Sequence, residues 1–122
     1  MTEAQANSTA TIEMEQIDSL ISAAGVDGTR AILEAFQRST TDLLTMLTDG
    51  VRGGALEDAY RTAHAVKGSA ANVGAQMLAE TAAAIEQACR AGDAAAAAEM
   101  LTEAQTCFDL FCVHFEAHLA QY

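Results

Sequence analysis

The run His64-Ala65-Val66-Lys67-Gly68-Ser69-Ala70-Ala71-Asn72-Val73-Gly74 decides how this chain of 122 residues is read. It lies inside a helical pattern, yet Gly68 costs a helix interior about 1 kcal/mol relative to alanine. His64 stands one turn before that glycine, and Lys67, the only lysine in the chain, directly before it. Counting at steps of four and three gives a seam of Ala59, Ala63, Val66, Ala70 and Val73, small enough for a neighbouring helix to come close. His64 groups instead with Tyr60, Arg61, Lys67, Gly68 and Ala71 on the outer side. Gly74 is the expected stop. A helix that gives up stability beside a histidine and a lone cation does so for access.

The pattern continues on both sides. Upstream, Ile12, Ile17, Leu20 and Ile21 predict a short amphipathic helix stopped at Gly25. Asp27 is placed to cap the next helix. That helix carries Ile32, Phe36, Leu43 and Leu47 at heptad-like spacing, widened by Leu33, Leu44 and Met46. Asp49-Gly50 and Gly53-Gly54 are read as its end. Downstream, Leu78, Ala82, Ile85 and Cys89 mark a helix ending at Gly92. Asp93 caps a last one through Leu101, Ala104, Phe108, Phe111, Phe115 and Leu119. The chain has no proline and no tryptophan, and β-branched runs are scarce. Short loops make neighbouring helices antiparallel. The expected fold is therefore all-α: an antiparallel up-down-up-down four-helix bundle with a short extra N-terminal helix. Residues 1–10 are expected to be disordered or frayed, and 11–122 to form a single domain.

Composition narrows the function. At 51% hydrophobic residues the chain is not disordered. A formal net charge of −11 opposes nucleic acid and anionic membrane surfaces alike. No run approaches the length of a membrane span, and residues 1–11 lack the apolar core of a signal peptide. Cys89, Cys107 and Cys112 are odd in number, form no CxxC pair and sit near core stripes. Reduced packing thiols in a cytoplasmic protein are the simplest reading. A monomer is the default, because one bundle can bury all four stripes.

An exposed imidazole in general titrates at about pH 6.5, so near neutrality much of it offers a free lone pair. Lys67 lies one turn further on the same face, where a cation stabilises an anion formed on the ring. Arg52, Arg61 and Lys67 fall between positions 52 and 67 and reverse the sign of an acidic chain locally, which suits a phosphoryl group. Gly68, four residues after His64, removes a side chain that would crowd the ring.

The quoted run resembles the signature of histidine-containing phosphotransfer (HPt) domains, H-x-x-K-G-x-x-x-x-x-G. Leu78, the Ile85-Glu86 pair and the Gly92-Asp93 turn also look like the family pattern, and the resemblance spans roughly residues 15 to 120. It implies that His64 takes a phosphoryl group from a receiver-domain aspartate, or from a hybrid kinase, and passes it to a response-regulator aspartate. The accepting nitrogen would be the one distal to the backbone. Lys67, with Arg61, would hold the phosphate, and Gly68 would give clearance for receiver docking. The family also implies a polar contact from the following helix, where the spacing places Glu86, with Gln87 next to it. A carboxylate repels a phosphate, so Glu86 is expected to orient Lys67 or Arg61. Partners would be receiver domains of response regulators and hybrid histidine kinases. No cofactor is expected on this chain, since magnesium belongs to the receiver. The protein would be a phosphocarrier and not an enzyme with its own ATP site; there is no Gly-rich phosphate loop.

Other features are read plainly. His114 and His118 are four apart, but H-x-E-x-H is not the zincin pattern and no third ligand is apparent, so no metal is expected. Met14, Met46, Met77 and Met100 read as core filler. Two other readings stay open: a non-catalytic interaction module that regulates a kinase or receiver without carrying phosphate, and an excised domain of a hybrid or chemotaxis-type kinase. The initial methionine favours a free-standing protein.

Overall fold

A computed structural model describes the backbone from residue 3 to residue 122 and the side chains from residue 11 onward. Five helices follow one another: α1 Glu3–Arg52, α2 Leu56–Val73, α3 Gln76–Arg90, α4 Ala94–Glu99 and α5 Leu101–Leu119. Among the described residues there is no strand. Helix α2 packs between α1 and α3, α3 meets α5, and α5 returns to α1, so the four long helices close a ring around one core.

Helix α1 is interrupted at Gly25, whose φ of 78° and ψ of 171° lie outside the helical region. Only glycine adopts such a backbone cheaply, so the expected short N-terminal helix and its successor meet at that residue. Two boundaries differ from the sequence reading. Residues 1 and 2, read as frayed, lie outside the described residues, but helix begins at Glu3, so residues 3–10 belong to α1. Glu3, Ala4, Gln5 and Ala6 are good helix formers, and neither glycine nor proline precedes Gly25. At the other end α1 runs through Asp49-Gly50 to Arg52, and Gly54, with φ 77°, makes the turn. Gly50 serves close packing instead: a Cβ there would meet Ala59 Cβ at 3.3 Å.

The buried face of α2 is Ala59, Ala63, Val66, Ala70 and Val73, the seam read from the sequence. Gly74 ends the helix in the left-handed region, and the Gly74 and Ala75 N–H groups donate to the Ala71 and Ala70 carbonyls. The buried face of α1 is rotated from the expected one. It runs Thr29, Leu33, Phe36, Thr40, Leu44, Leu47 and Val51, while Ile32 and Met46 are 41% and 57% exposed. Met46 is therefore not core filler. Two threonines at core positions made this seam look polar where it is buried.

The expected last helix is two. Met100, at φ −91° and ψ −6°, ends α4 and opens α5, its N–H turning to the Ala97 carbonyl. Asp93 caps α4 as expected, accepting from Ala96 N–H at 3.0 Å. Phe36 of α1 meets Phe108 and Phe111 of α5 edge-on, with ring centroids 5.9 and 5.7 Å apart, which fixes the side of the ring opposite α2.

Candidate functional site

The small seam of α2 turns His64 outward. Its side chain is 64% exposed, and Lys67, one turn on, is 36% exposed. Gly68 is exposed, and a Cβ placed on it would meet no atom within 4 Å. The glycine is thus not required by packing within the chain. The space above it is open.

Helix α3 supplies the third group. Its buried face is Leu78, Thr81, Ala82, Ile85, Glu86 and Cys89, so Glu86 is a carboxylate at the edge of an apolar stripe, its side chain 5% exposed. A charge withdrawn this far from water needs partners. It has two. His64 Nδ1 lies 2.5 Å from Oε2, and Lys67 Nζ donates to Oε1 at 2.6 Å. The Lys67 hydrogen bond holds the Glu86 carboxyl below its ordinary value against the opposing effect of burial, with further help from His64.

The protonation pattern follows. An ionised carboxylate can only accept, so Nδ1 carries the proton and donates it to Glu86. In a neutral ring the lone pair then resides on Nε2. Two helices thus present one nitrogen outward, with an ammonium beside the carboxylate and no side chain at position 68.

The other site candidates lie elsewhere. Arg61 donates to Glu57 at 2.8 Å and to Asp58 at 3.3 Å, both on its own helix. With Lys67 on Glu86, the positive island expected around His64 is met by carboxylates on both cations. Gln87 is exposed, beyond the buried edge that holds Glu86. The sequence reading gave Glu86 the orientation of Lys67 or Arg61; the structure gives it Lys67 and, directly, His64. The signal for the second contact was a carboxylate one step from the core residue Ile85, which has to find buried partners.

His118 turns to α1. Its Nε2 bonds the Asp18 carboxylate at 2.6 Å, and Tyr122 Oη donates to the same oxygen at 2.6 Å. These two bonds hold Asp18 below the usual carboxylate range. Among the described residues no group of three or more histidines, cysteines or carboxylates could hold a metal ion. The three cysteines are free and buried, and burial pushes their thiols up, Cys112 to about 11. A cavity of about 420 Å³ lies by Met14, Asp18, His114 and His118, with no lining residue from α2 or α3. The His64 region is open surface, suited to another macromolecule more than to a small ligand.

The family model of the Hpt domain matches residues 31–121, about three quarters of the chain and all of the His64 helix. The chain belongs to the Hpt domain family. No curated protein and no solved structure matches it. The Hpt match begins after Gly25, so the first part of α1 lies outside the matched residues. Among the described residues no helix is long and apolar enough to cross a membrane.

Proposed function

We propose that this Hpt protein is a phosphocarrier in which His64 Nε2 accepts a phosphoryl group from a receiver-domain aspartate, or from a hybrid kinase, and delivers it to a response-regulator aspartate. The observation that carries the reading is the Glu86–His64 contact, which leaves the lone pair on the outward nitrogen above the open space at Gly68. On acceptance, the Nε2–P bond forms as the O–P bond of the carboxyl phosphate breaks, and the aspartate leaves as carboxylate. Such transfer depends on positioning and charge compensation. Lys67 turns from Glu86 to the incoming phosphoryl oxygens. Arg61, tied to Glu57 and Asp58, contributes little beyond local potential. Gln87 lies further out and takes at most a peripheral polar contact.

The same reading has the helices arranged up-down-up-down and the protein working as a cytoplasmic monomer. It needs no cofactor of its own, the magnesium ion being held by the partner receiver. Partner specificity would come from the outer face of α2 and its flanks. The test is incubation with a phosphorylated receiver domain. Wild type should gain acid-labile phosphate and His64→Gln none. If wild type binds the receiver and stays unphosphorylated, the protein is an interaction module instead.

A further inference from the structure

The contact between Glu86 and His64 bears on the outgoing step as well as the incoming one. Attack by Nε2 of a ring that already holds a proton on Nδ1 yields a phosphorylated imidazolium. Its fate depends on that proton. If the proton stays, cleavage of the Nε2–P bond returns the electron pair to a ring that leaves as neutral imidazole. If it is lost to solvent, the ring must leave as an imidazolate, a much poorer leaving group.

Resting on the proposed phosphocarrier role, we infer that Glu86 is a positioning residue that keeps Nδ1 of phosphorylated His64 protonated, so that the phosphoryl group stays transferable in neutral and mildly alkaline solution. The carboxylate is ideally placed for this. It is nearly buried, meets Nδ1 at 2.5 Å, and is itself kept ionised by Lys67. Among the described residues Lys67 of α2 is the further charged group bonded to this pair, and Arg61 is turned to Glu57 and Asp58. When Lys67 moves to the phosphoryl oxygens, the ring proton becomes the remaining compensation for the Glu86 charge, which tightens its hold. Transfer then balances: the Nε2–P bond breaks, an O–P bond forms on the receiver aspartate, and Nδ1 keeps its proton throughout.

The experiment uses phosphoramidate, a small P–N donor, to phosphorylate the full chain without a partner. Long-range ¹⁵N–¹H spectra across pH 5 to 10, a span about the histidine range, follow Nδ1 of the phosphorylated ring. In wild type its proton should persist to a pH about one to two units above that of a phosphohistidine peptide, the size of effect expected from one close opposite charge. Glu86→Gln should bring it back toward the peptide, and its transfer to a receiver should decline at correspondingly lower pH. A wild-type ring that titrates like the peptide overturns the inference, as does a wild-type shift that Glu86→Gln leaves in place. The wild-type spectra decide this without any variant. A ring that holds its proton but yields no phosphate to any receiver leaves this inference standing and overturns the phosphocarrier reading.

Discussion

Gly50 of α1 approaches Ala59 of α2 so closely that a Cβ on Gly50 would lie 3.3 Å from the Ala59 methyl and 3.5 Å from its Cα. The contact sets the spacing between the helix that carries His64 and the one behind it. Gly50→Leu should therefore push the two helices apart and destabilise the fold by about 1–3 kcal/mol, the usual cost of overpacking. Urea unfolding would measure it, and a loss under about 0.5 kcal/mol would mean that the helices part easily.

At Gly68 the expectation is opposite. Nothing lies within 4 Å of an added Cβ, and the position is helical. Gly68→Ala should stabilise the protein by about 0.5–1 kcal/mol. Gly68→Gln should also fold, but slow phosphotransfer by covering the space beside His64. A thermal melt and a transfer rate on the same two variants test both halves. Unchanged transfer in Gly68→Gln would remove the clearance argument.

Lys67→Ala removes the cation from Glu86 and from any phosphoryl group. Phosphorylation by a receiver should fall by about tenfold or more, as for the loss of one charge-assisted contact of about 1.5–3 kcal/mol. The helical circular-dichroism signal should persist. Equal rates at matched salt would show that the lysine serves Glu86 alone.

Acid should loosen the site through Glu86. Its carboxyl is held below 4.5, chiefly by Lys67, so the folded state binds this proton less readily than the unfolded chain. The stabilisation is complete above the unfolded value and fades as pH falls through the lower folded one. Asp18, held down by Tyr122 and His118, acts in the same direction. Glu13 acts in the other: burial raises it, so the stability linked to its proton is present below its unfolded value and is lost as pH rises through the folded one. Denaturant midpoints from pH 6 to pH 3, a range about the carboxyl values, should fall less steeply in Glu86→Gln than in wild type. Identical slopes would contradict the role given to the Lys67 contact.

The hydroxyls of Thr29 and Thr40 are buried in the α1 seam and have no hydrogen-bond partner among the described residues. Replacing either by valine keeps the shape and removes a desolvated polar atom. Each change should stabilise by about 1 kcal/mol. The sites are about 16 Å apart along the helix, so the two gains should add. Chemical denaturation of both single variants and the double variant checks this.

These threonines also explain where the sequence was legible. In α2, small apolar residues alternate with plainly polar ones, so all five seam positions could be read and the outward place of His64, Lys67 and Gly68 followed. In α1 the hydrophobic count selected Ile32 and Met46, which are exposed, because two true core positions carry hydroxyls. Arg61 stands one turn from His64 along the chain, but its bonding is set by nearer groups. Its partners, Glu57 and Asp58, stand one turn away on the same face and capture it locally. The Glu86–His64 contact depends on the rotation of one helix against another, which periodicity within either helix does not specify.

Helix α3 begins without a local signal, since Ala75 gives its first turn no side-chain cap. Glu13 of α1 supplies the acceptor, taking the Met77 N–H at 3.3 Å from a position 64 residues earlier. Closing so long a loop costs entropy before the contact is made. The start of α3 therefore depends on the stretch ahead of Gly25 being docked against it. That stretch precedes the family match at residue 31, yet it seats the helix on which Glu86 rides. A chain cut back to the matched residues would keep every residue of the site and lose the Glu13 carboxylate that receives the first turn of α3, so the stability of the shortened chain would reveal what the preceding segment supplies.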